Sequence, residues 1–390
     1  MKRIRESVEN LIVGGGPAGS MLAMRLADAG MPVTLLEKEA QAHHKVCGEF
    51  LSHEAVEYLQ QAGLAPGELG AAPIHSIRLS VGSRVAYAKL PFRAFSLSRY
   101  VLDTVMLERA EERGCDIKRG ICVEKIEPRG DAWRIQLRDG RSVRAQNVFL
   151  ANGKHDLHGW KRGEGKQCDL VGFKMHWQLN PVQTKAMRGL IELFLFPGGY
   201  GGLSLIETET ANLCLVVQRA QLQRIGPWGE LLSGILSENP HLLQRMQGAE
   251  ALWEKPLAVS SIPYGHLANQ PCSIWCLGDQ AAVVPSFTGD GLAIALHSGA
   301  LASEMFLAGA SADEYHQKLV GQLGWGISFA TRISRAMVTP VGREIAPFGL
   351  RLFPHALRWI ANSTRIPEED ILRARLIPHV EPSHDKEHIA

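Results

Sequence analysis

Two stretches of this sequence combine residue types and spacings that can do chemistry. HHKVCGEFLS, residues 43–52, gathers two His, a Lys, a Cys and a Glu around one Gly. Cys47 offers a reactive thiol where it is partly exposed and an inert one where it is buried. Gly48 lets the backbone pass close to a planar ligand. Glu49, next to that Gly, could act as a proton donor or as an anchor. His43 and His44 read as solvated loop residues rather than catalysts. The other stretch is LIVGGGPAGS, where Gly14, Gly16 and Gly19 make G-x-G-x-x-G. That pattern permits a tight turn, close backbone approach to a pyrophosphate, and close packing of a helix on a sheet.

The elements needed to position these residues are legible around them. Leu11, Ile12 and Val13 form a short apolar run, as in a strand buried on both faces. Pro17 and Ala18 suit a first helical turn, Gly30 suits a helix C-cap, and Val33 to Leu36 reads as a second strand. Glu37 ends that strand 18 residues after Gly19, near the spacing of about 20 for an acid that binds an adenosine ribose. Lys38 follows it. The acid favours an unphosphorylated ribose, which fits FAD or NAD and disfavours NADP at this point.

A second glycine-rich segment is SIWCLGDQAAVVPSFTGDGLAIALHSG. A buried strand ends at Gly278 and Asp279, where a carboxylate could accept hydrogen bonds from sugar-like hydroxyls. Pro285 breaks the chain. Gly289, Asp290 and Gly291 form a turn, and a helix starts near Leu292. Its N-terminus would present N–H donors and a partial positive charge, suited to an anionic reduced flavin.

With these motifs together, the chain resembles the FAD-dependent monooxygenase superfamily of the p-hydroxybenzoate hydroxylase fold. Within it, the chain is most similar to the branch that holds geranylgeranyl reductases and flavin-dependent halogenases. The resemblance covers about residues 8–330. It implies FAD as cofactor, with Asp279 at the ribityl chain and the Pro285–Gly291 turn against the isoalloxazine. SLSRYVLDTVMLERAEERG resembles the family's R-x-x-x-D-x-x-L helix, and Arg99 matches the Arg that reaches the flavin phosphates or ribityl chain. KVCGEF resembles the reductases' K-x-C-G-G, with Lys45, Cys47 and Gly48 in place and Glu49 where a second Gly often sits. HHKVCGEFLS therefore reads as part of the wall around the flavin's reactive face.

The sequence also departs from the family. FLANGKHDLHGWKR carries Asn152 where hydroxylases usually have an Asp. Lys154, His155 and His158 nearby are either a polar loop or a seat for a nicotinamide phosphate. The halogenase motif W-x-W-x-I-P is absent. IELFLFPGGYGGLSLIE has the place of the reductases' tyrosine–tryptophan strand, with Tyr200 in position and Gly202 where the Trp would be.

The resemblance implies an α/β fold. A three-layer Rossmann-like FAD-binding domain would be formed by residues 1–75, 98–170 and 258–330. An inserted antiparallel β-sheet substrate domain would take 76–97 and 171–257, and a helical C-terminal region 331–390. It implies an FAD-dependent oxidoreductase with NAD(P)H as transient electron donor. The leading reading is a monooxygenase that hydroxylates an aromatic or lipidic biosynthetic intermediate through a flavin C4a-hydroperoxide. Alternatives are a geranylgeranyl-reductase-like reduction of a C=C bond, and an accessory flavoprotein that modifies a partner protein. Candidate catalytic residues are Cys47, Glu49 and Tyr200.

Bulk properties exclude other classes. The chain has 390 residues and a net charge of +2, with no basic run that would mark a nucleic-acid partner. Seven Cys without regular spacing suit free thiols in a reducing compartment, and no zinc-site spacing or other metal site is evident. No leader-like segment and no membrane-spanning run is read, so the expected location is the cytoplasm. Residues 331–365 hold six Arg against one Glu among Phe, Leu and Trp, broken by Pro340, Pro347 and Pro354. They read as an amphipathic cap on the body or as a surface for peripheral contact with anionic lipid.

Overall fold

The computed structural model describes residues 5–269 and 273–343, with isolated positions at 345, 365, 366, 369 and 371. Two sheets organise the chain. The first is built on strand Ser7–Val13, which pairs in parallel with Val33–Glu37 on one side and Ser142–Leu150 on the other. Asp116–Arg119 extends it in parallel, and Trp275–Cys276 adds at the end of Ser142–Leu150. These strands are near-continuous apolar runs because both faces are covered. Helices Pro17–Asp28, Arg99–Glu112 and Gly291–Leu307 contribute Met21, Leu22, Met106, Leu296 and Ala300 to the core on one face. A curled antiparallel meander, Val123–Arg129, Ala132–Leu137 and Ser142–Leu150, packs Ile126, Trp133 and Ile135 over Leu11 and Val13 on the other.

The second sheet has nine strands. Leu170–Gln178, Ala211–Gln218, Gly199–Leu205 and Gly189–Phe196 run antiparallel in that order. Gly189–Phe196 then pairs in parallel with Ala72–Val81, which makes a hairpin with Arg84–Ser96. The sheet is therefore mixed rather than purely antiparallel, because the hairpin arrives from an earlier part of the chain. Its outer face carries Phe173, Phe194, Leu213 and Leu215 under the short helices between 181 and 246. Its inner face carries Gly172, Lys174 and His176 opposite Val216, Cys214 and Asn212, and this face looks toward the first sheet's glycine turns. The two-residue strand Phe50–Leu51, just after HHKVCGE, joins the edge of the second sheet.

The helix Ala312–Met337 runs without interruption past Thr331 and begins with a capping box between Ser311 and Glu314. The C-terminal helix thus starts well before residue 331. Most of the basic segment that was read as a cap or a lipid contact lies outside the described residues, with Pro347 and Pro354. Among the described residues, no helix is long and apolar enough to cross a membrane.

Close helix packing behind the glycine motif depends on small residues. A Cβ on Gly299 would lie 2.4 Å from the Ala18 carbonyl oxygen of the first helix, against rigid backbone. Gly299→Ala should therefore lower stability by about 1–3 kcal/mol despite alanine's better helix propensity, read as a lower midpoint in urea unfolding.

Candidate functional site

Both glycine turns and the HHKVCGE loop open on one cavity of about 750 Å³, within the usual range for cofactor sites of roughly 300–1,000 Å³. At one end it is lined by Gly14, Gly16, Pro17, Ala18, Glu37 and Lys38. Glu37 is buried; its carboxylate accepts the Gly15 N–H at 2.8 Å and the Glu39 N–H at 3.0 Å. Gly14 sits at φ 107, and a Cβ there would be 2.4 Å from the Ala151 carbonyl oxygen, so only glycine makes this turn. Gly19 does not line the cavity. It lets the first helix press against the Gly14 carbonyl.

Arg99 opens its helix and points at the same turn, its Nη2 3.4 Å from where a Gly16 Cβ would sit. Asp103 grips the guanidinium through two bonds of 2.7 and 2.8 Å and also takes Lys45 at 2.8 Å. Burial opposes the Arg99 charge, but Asp103 outweighs it and holds the guanidinium's pKa above its ordinary value. The helix Pro17–Asp28 has no side-chain cap at Gly16. Its first N–H groups and Arg99 therefore make an anion seat over the turn. The helix Gly291–Leu307 likewise lacks a side-chain bond from its N-cap, Asp290, and Gly278, Asp279, Gly289, Gly291 and Leu292 line the adjoining wall. Pro285 and Asp290 are not among the lining residues; Asp290 is buried behind them.

The 43–50 loop forms the wall between the two sheets. His43, His44, Lys45, Cys47, Gly48 and Glu49 all line the cavity. The Cys47 sulfur is half-buried and accepts the Glu49 N–H at 3.3 Å. Glu49 itself is 0 % exposed and has φ 58, a left-handed backbone that suits glycine. Its carboxylate takes the Arg99 N–H at 2.7 Å, the Lys174 ammonium, and the His176 Nε2 at 3.1 Å. Burial opposes its charge, but His176 and Lys174 outweigh that and keep the carboxyl below its ordinary range. Glu49 is thus an anchored anion and not a proton donor.

His44 packs against Tyr100, His176 and Trp253, with ring centroids 4.8–5.1 Å apart. Burial, then the charges of Lys174 and His176, push its pKa down to about 4, so it is a neutral wall residue rather than a solvated one. His44, Glu49 and His176 bring three ligand atoms within 4.8 Å of one another. The Lys174 ammonium already supplies the cation there.

Tyr200 does not line the cavity. It is buried, with its hydroxyl 3.3 Å from Ser334, and Tyr264 and Ser286 stand at the wall in front of it. Gly199 and Gly201 are small because the Phe196 and Phe194 rings occupy the space their side chains would fill. Lys154 is committed to the loop, donating to the Val46 carbonyl at 2.6 Å. Sequence reasoning missed Lys174, His176, Tyr264 and Ser286. The first two had a signal: in FKMHWQ their alternation puts both on one face of a strand.

Three comparisons bear on this site. Residues 7–159 match the FAD binding domain family. The menaquinone reductase of Mycobacterium tuberculosis is 26% identical over 357 residues, covering 86% of each chain. Digeranylgeranylglycerophospholipid reductase 2 of Methanopyrus kandleri is 25% identical, covering 76% of each. Among solved structures, a flavin-dependent brominase shares the fold with a TM-score of 0.75 at 16% identity, over 95% of this chain and 97% of that one. The chain is an FAD-dependent oxidoreductase. These similarities are consistent with the FAD-dependent monooxygenase superfamily that the sequence motifs resemble. FAD fits the cavity: a buried carboxylate stands at one end, an uncapped helix terminus with an Arg beside it, and a second uncapped terminus at the other.

Two outcomes follow. Glu37→Ala should reduce FAD retention through gel filtration, seen as a lower flavin-to-protein absorbance ratio, with the fold kept. Glu49→Gln leaves the buried Lys174 without its counter-ion and should cost about 3–5 kcal/mol. Because Glu49 is depressed in the folded state, its contribution is complete above the ordinary carboxyl value of 4.5 and is lost as pH falls below it. The thermal midpoint should therefore drop on acidification in the wild type, and follow a flatter acid limb in Glu49→Gln.

Proposed function

We propose that the chain reduces a C=C bond in an apolar, lipid-like biosynthetic intermediate. The observation that carries this reading is the wall facing the flavin end of the cavity. Val216, Leu257, Val259 and Ile262 of the second sheet and its flanks form it, and Glu49, which lines the same cavity, is locked in an ion pair. An apolar wall suits a hydrocarbon chain. The matches that run through this sheet as well as the FAD-binding part support the reading, since both of those relatives are named reductases. Hydroxylation, the leading reading from sequence, has no comparable support within the sheet.

In this reading Glu37 holds the adenosine ribose, and the Gly14–Ala18 turn with Arg99 holds the pyrophosphate. Lys38 and Lys45 add positive charge along it. Asp279 holds the ribityl hydroxyls, and Gly289, Gly291 and Leu292 bring N–H groups to the ring edge. Gly48 and Cys47 keep the loop backbone near the ring. When bound, the flavin supplies the hydride; the protein orients the substrate, excludes water and supplies a proton. NAD(P)H serves as the transient electron donor. His155 lines the cavity beside Lys38 and Lys45, a placement suited to the nicotinamide dinucleotide's phosphates.

The test is anaerobic turnover of a lipid extract by the FAD-loaded protein with NADH or NADPH. A product heavier by two hydrogens is expected. A product heavier by one oxygen, formed only in air, would replace this reading with hydroxylation, and a mass change confined to a protein would point to a partner-modifying flavoprotein.

A further inference from the structure

The long helix Ala312–Met337 has two faces of different character. Its inward face buries Leu319, Leu323, Ile327 and Ala330. Farther along, Ser334 donates to Gln167 Oε1 at 2.8 Å and lies 3.3 Å from the Tyr200 hydroxyl. Met337 and Val338, at the helix end, pack in one cluster with Ile262 and Tyr264, and both of those line the cavity. The outward face carries Gly321, Trp325, Phe329, Arg332 and Ala336, spaced three or four residues apart in one stripe. Trp325 is 63% exposed, and Phe329 stacks on it with ring centroids 5.3 Å apart and planes at 7°.

The charge around that stripe has one sign. From residue 315 to residue 343 the sequence has no Asp or Glu and carries Lys318, Arg332, Arg335 and Arg343. Lys318 and Arg343 have acidic partners in Glu304 and Glu238. Arg332 and Arg335 are exposed, and among the described residues no ion pair holds either. Lys166, from the neighbouring loop, donates to Ser328 Oγ at 2.8 Å and brings another cation to the flank of the helix. Glu164 is the exposed acid of that loop. In water, an exposed indole beside unpaired guanidiniums leaves apolar surface uncovered. At a bilayer it is stabilised twice. The indole suits the headgroup level, and the guanidiniums meet anionic headgroups.

We propose that this face docks the protein on an anionic bilayer, with Trp325 and Phe329 at the headgroup level and Arg332 and Arg335 against lipid phosphates. A second copy of the chain fits the face less well, because two such faces would bring like charges together. An anionic lipid surface supplies both the apolar layer and the opposite charge. Docking sets the apolar end of the cavity about one helix diameter, roughly 10 Å, behind the membrane surface. An apolar substrate then has a short path from the bilayer to the flavin end. That service to the reaction rests on the reductive reading above, whereas the docking surface itself rests on the helix.

The test is co-sedimentation of the full-length FAD-loaded protein with vesicles of phosphatidylcholine alone or mixed with phosphatidylglycerol. Binding should be at least tenfold stronger to the mixed vesicles and should weaken as salt is raised. Replacing Arg332 and Arg335 together by Glu should weaken it at least tenfold, since each Arg near an anionic surface is worth about fivefold. FAD retention should be unchanged in that variant, which shows that the fold is kept. Bromine on the acyl chains should quench part of the tryptophan emission. That part should vanish in Trp325→Leu, which keeps apolar bulk at the position. Turnover of lipid carried in mixed vesicles should fall at least tenfold in the Arg332→Glu, Arg335→Glu variant, while turnover of the same lipid in detergent micelles is kept. Equal binding to both vesicle types, or binding undiminished by the two Arg substitutions, overturns the proposal. A dimer in sedimentation velocity that Trp325→Ala splits, with no vesicle binding, assigns the face to a second copy and also overturns it. Vesicle binding through this face with no lipid reduced in either vesicles or micelles removes the reductive reading and leaves the docking surface standing.

Discussion

The arrangement of the site depends on one buried carboxylate. Glu49 accepts the first N–H of the Arg99 helix, the ammonium of Lys174 and the ring nitrogen of His176. With Glu49 on the cavity loop, its partners tie that loop to the FAD-binding helix and to the substrate sheet. Burying a charge without partners is costly, and burying it with two hydrogen-bonded counter-groups is tolerable only in one geometry. That requirement fixes the loop against the sheet. It also holds Glu49 in a left-handed backbone that a side chain adopts at a cost of about 1–3 kcal/mol. The glycine often found here in the resembling reductases suits the same backbone with no Cβ strain, and here the ion pair offsets that strain.

The cavity has two chemically different ends as a result. Around the glycine turn the charges face the ligand: Arg99 is partly buried and braced by Asp103, and its guanidinium reaches the turn. Around the second sheet the charges are spent on one another, and what remains open is apolar surface and hydroxyl groups. A dinucleotide with a charged middle and a planar reactive end matches that gradient. The planar end would lie where water-exposed charge is scarcest, which would strengthen any dipole aimed at it.

How much of this was legible depends on the range of the interaction involved. The glycine turn, its strand, its helix and Glu37 are joined by local rules, and they lie together as the spacing implies. Gly278, Asp279, Gly289 and Gly291 were legible for the same reason. Roles that depend on pairing between distant segments were not. Glu49 looked free to donate a proton until Lys174 and His176 arrived from 125 and 127 residues away. Tyr200 held the right place in its strand, but Tyr264 stands between it and the cavity. Gly199 and Gly201 flank Tyr200, and only the strand pairing brings the Phe196 and Phe194 rings into the space beside them.

The sequence by itself determined the dinucleotide fold and its cofactor class, because periodicity, turn chemistry and one spaced acid act within some thirty residues. Only the tertiary structure decided which ionisable groups are free to act. That is a question of desolvation and partners, and the partners of Glu49, Lys154 and Tyr200 are set by how the second sheet closes over the first.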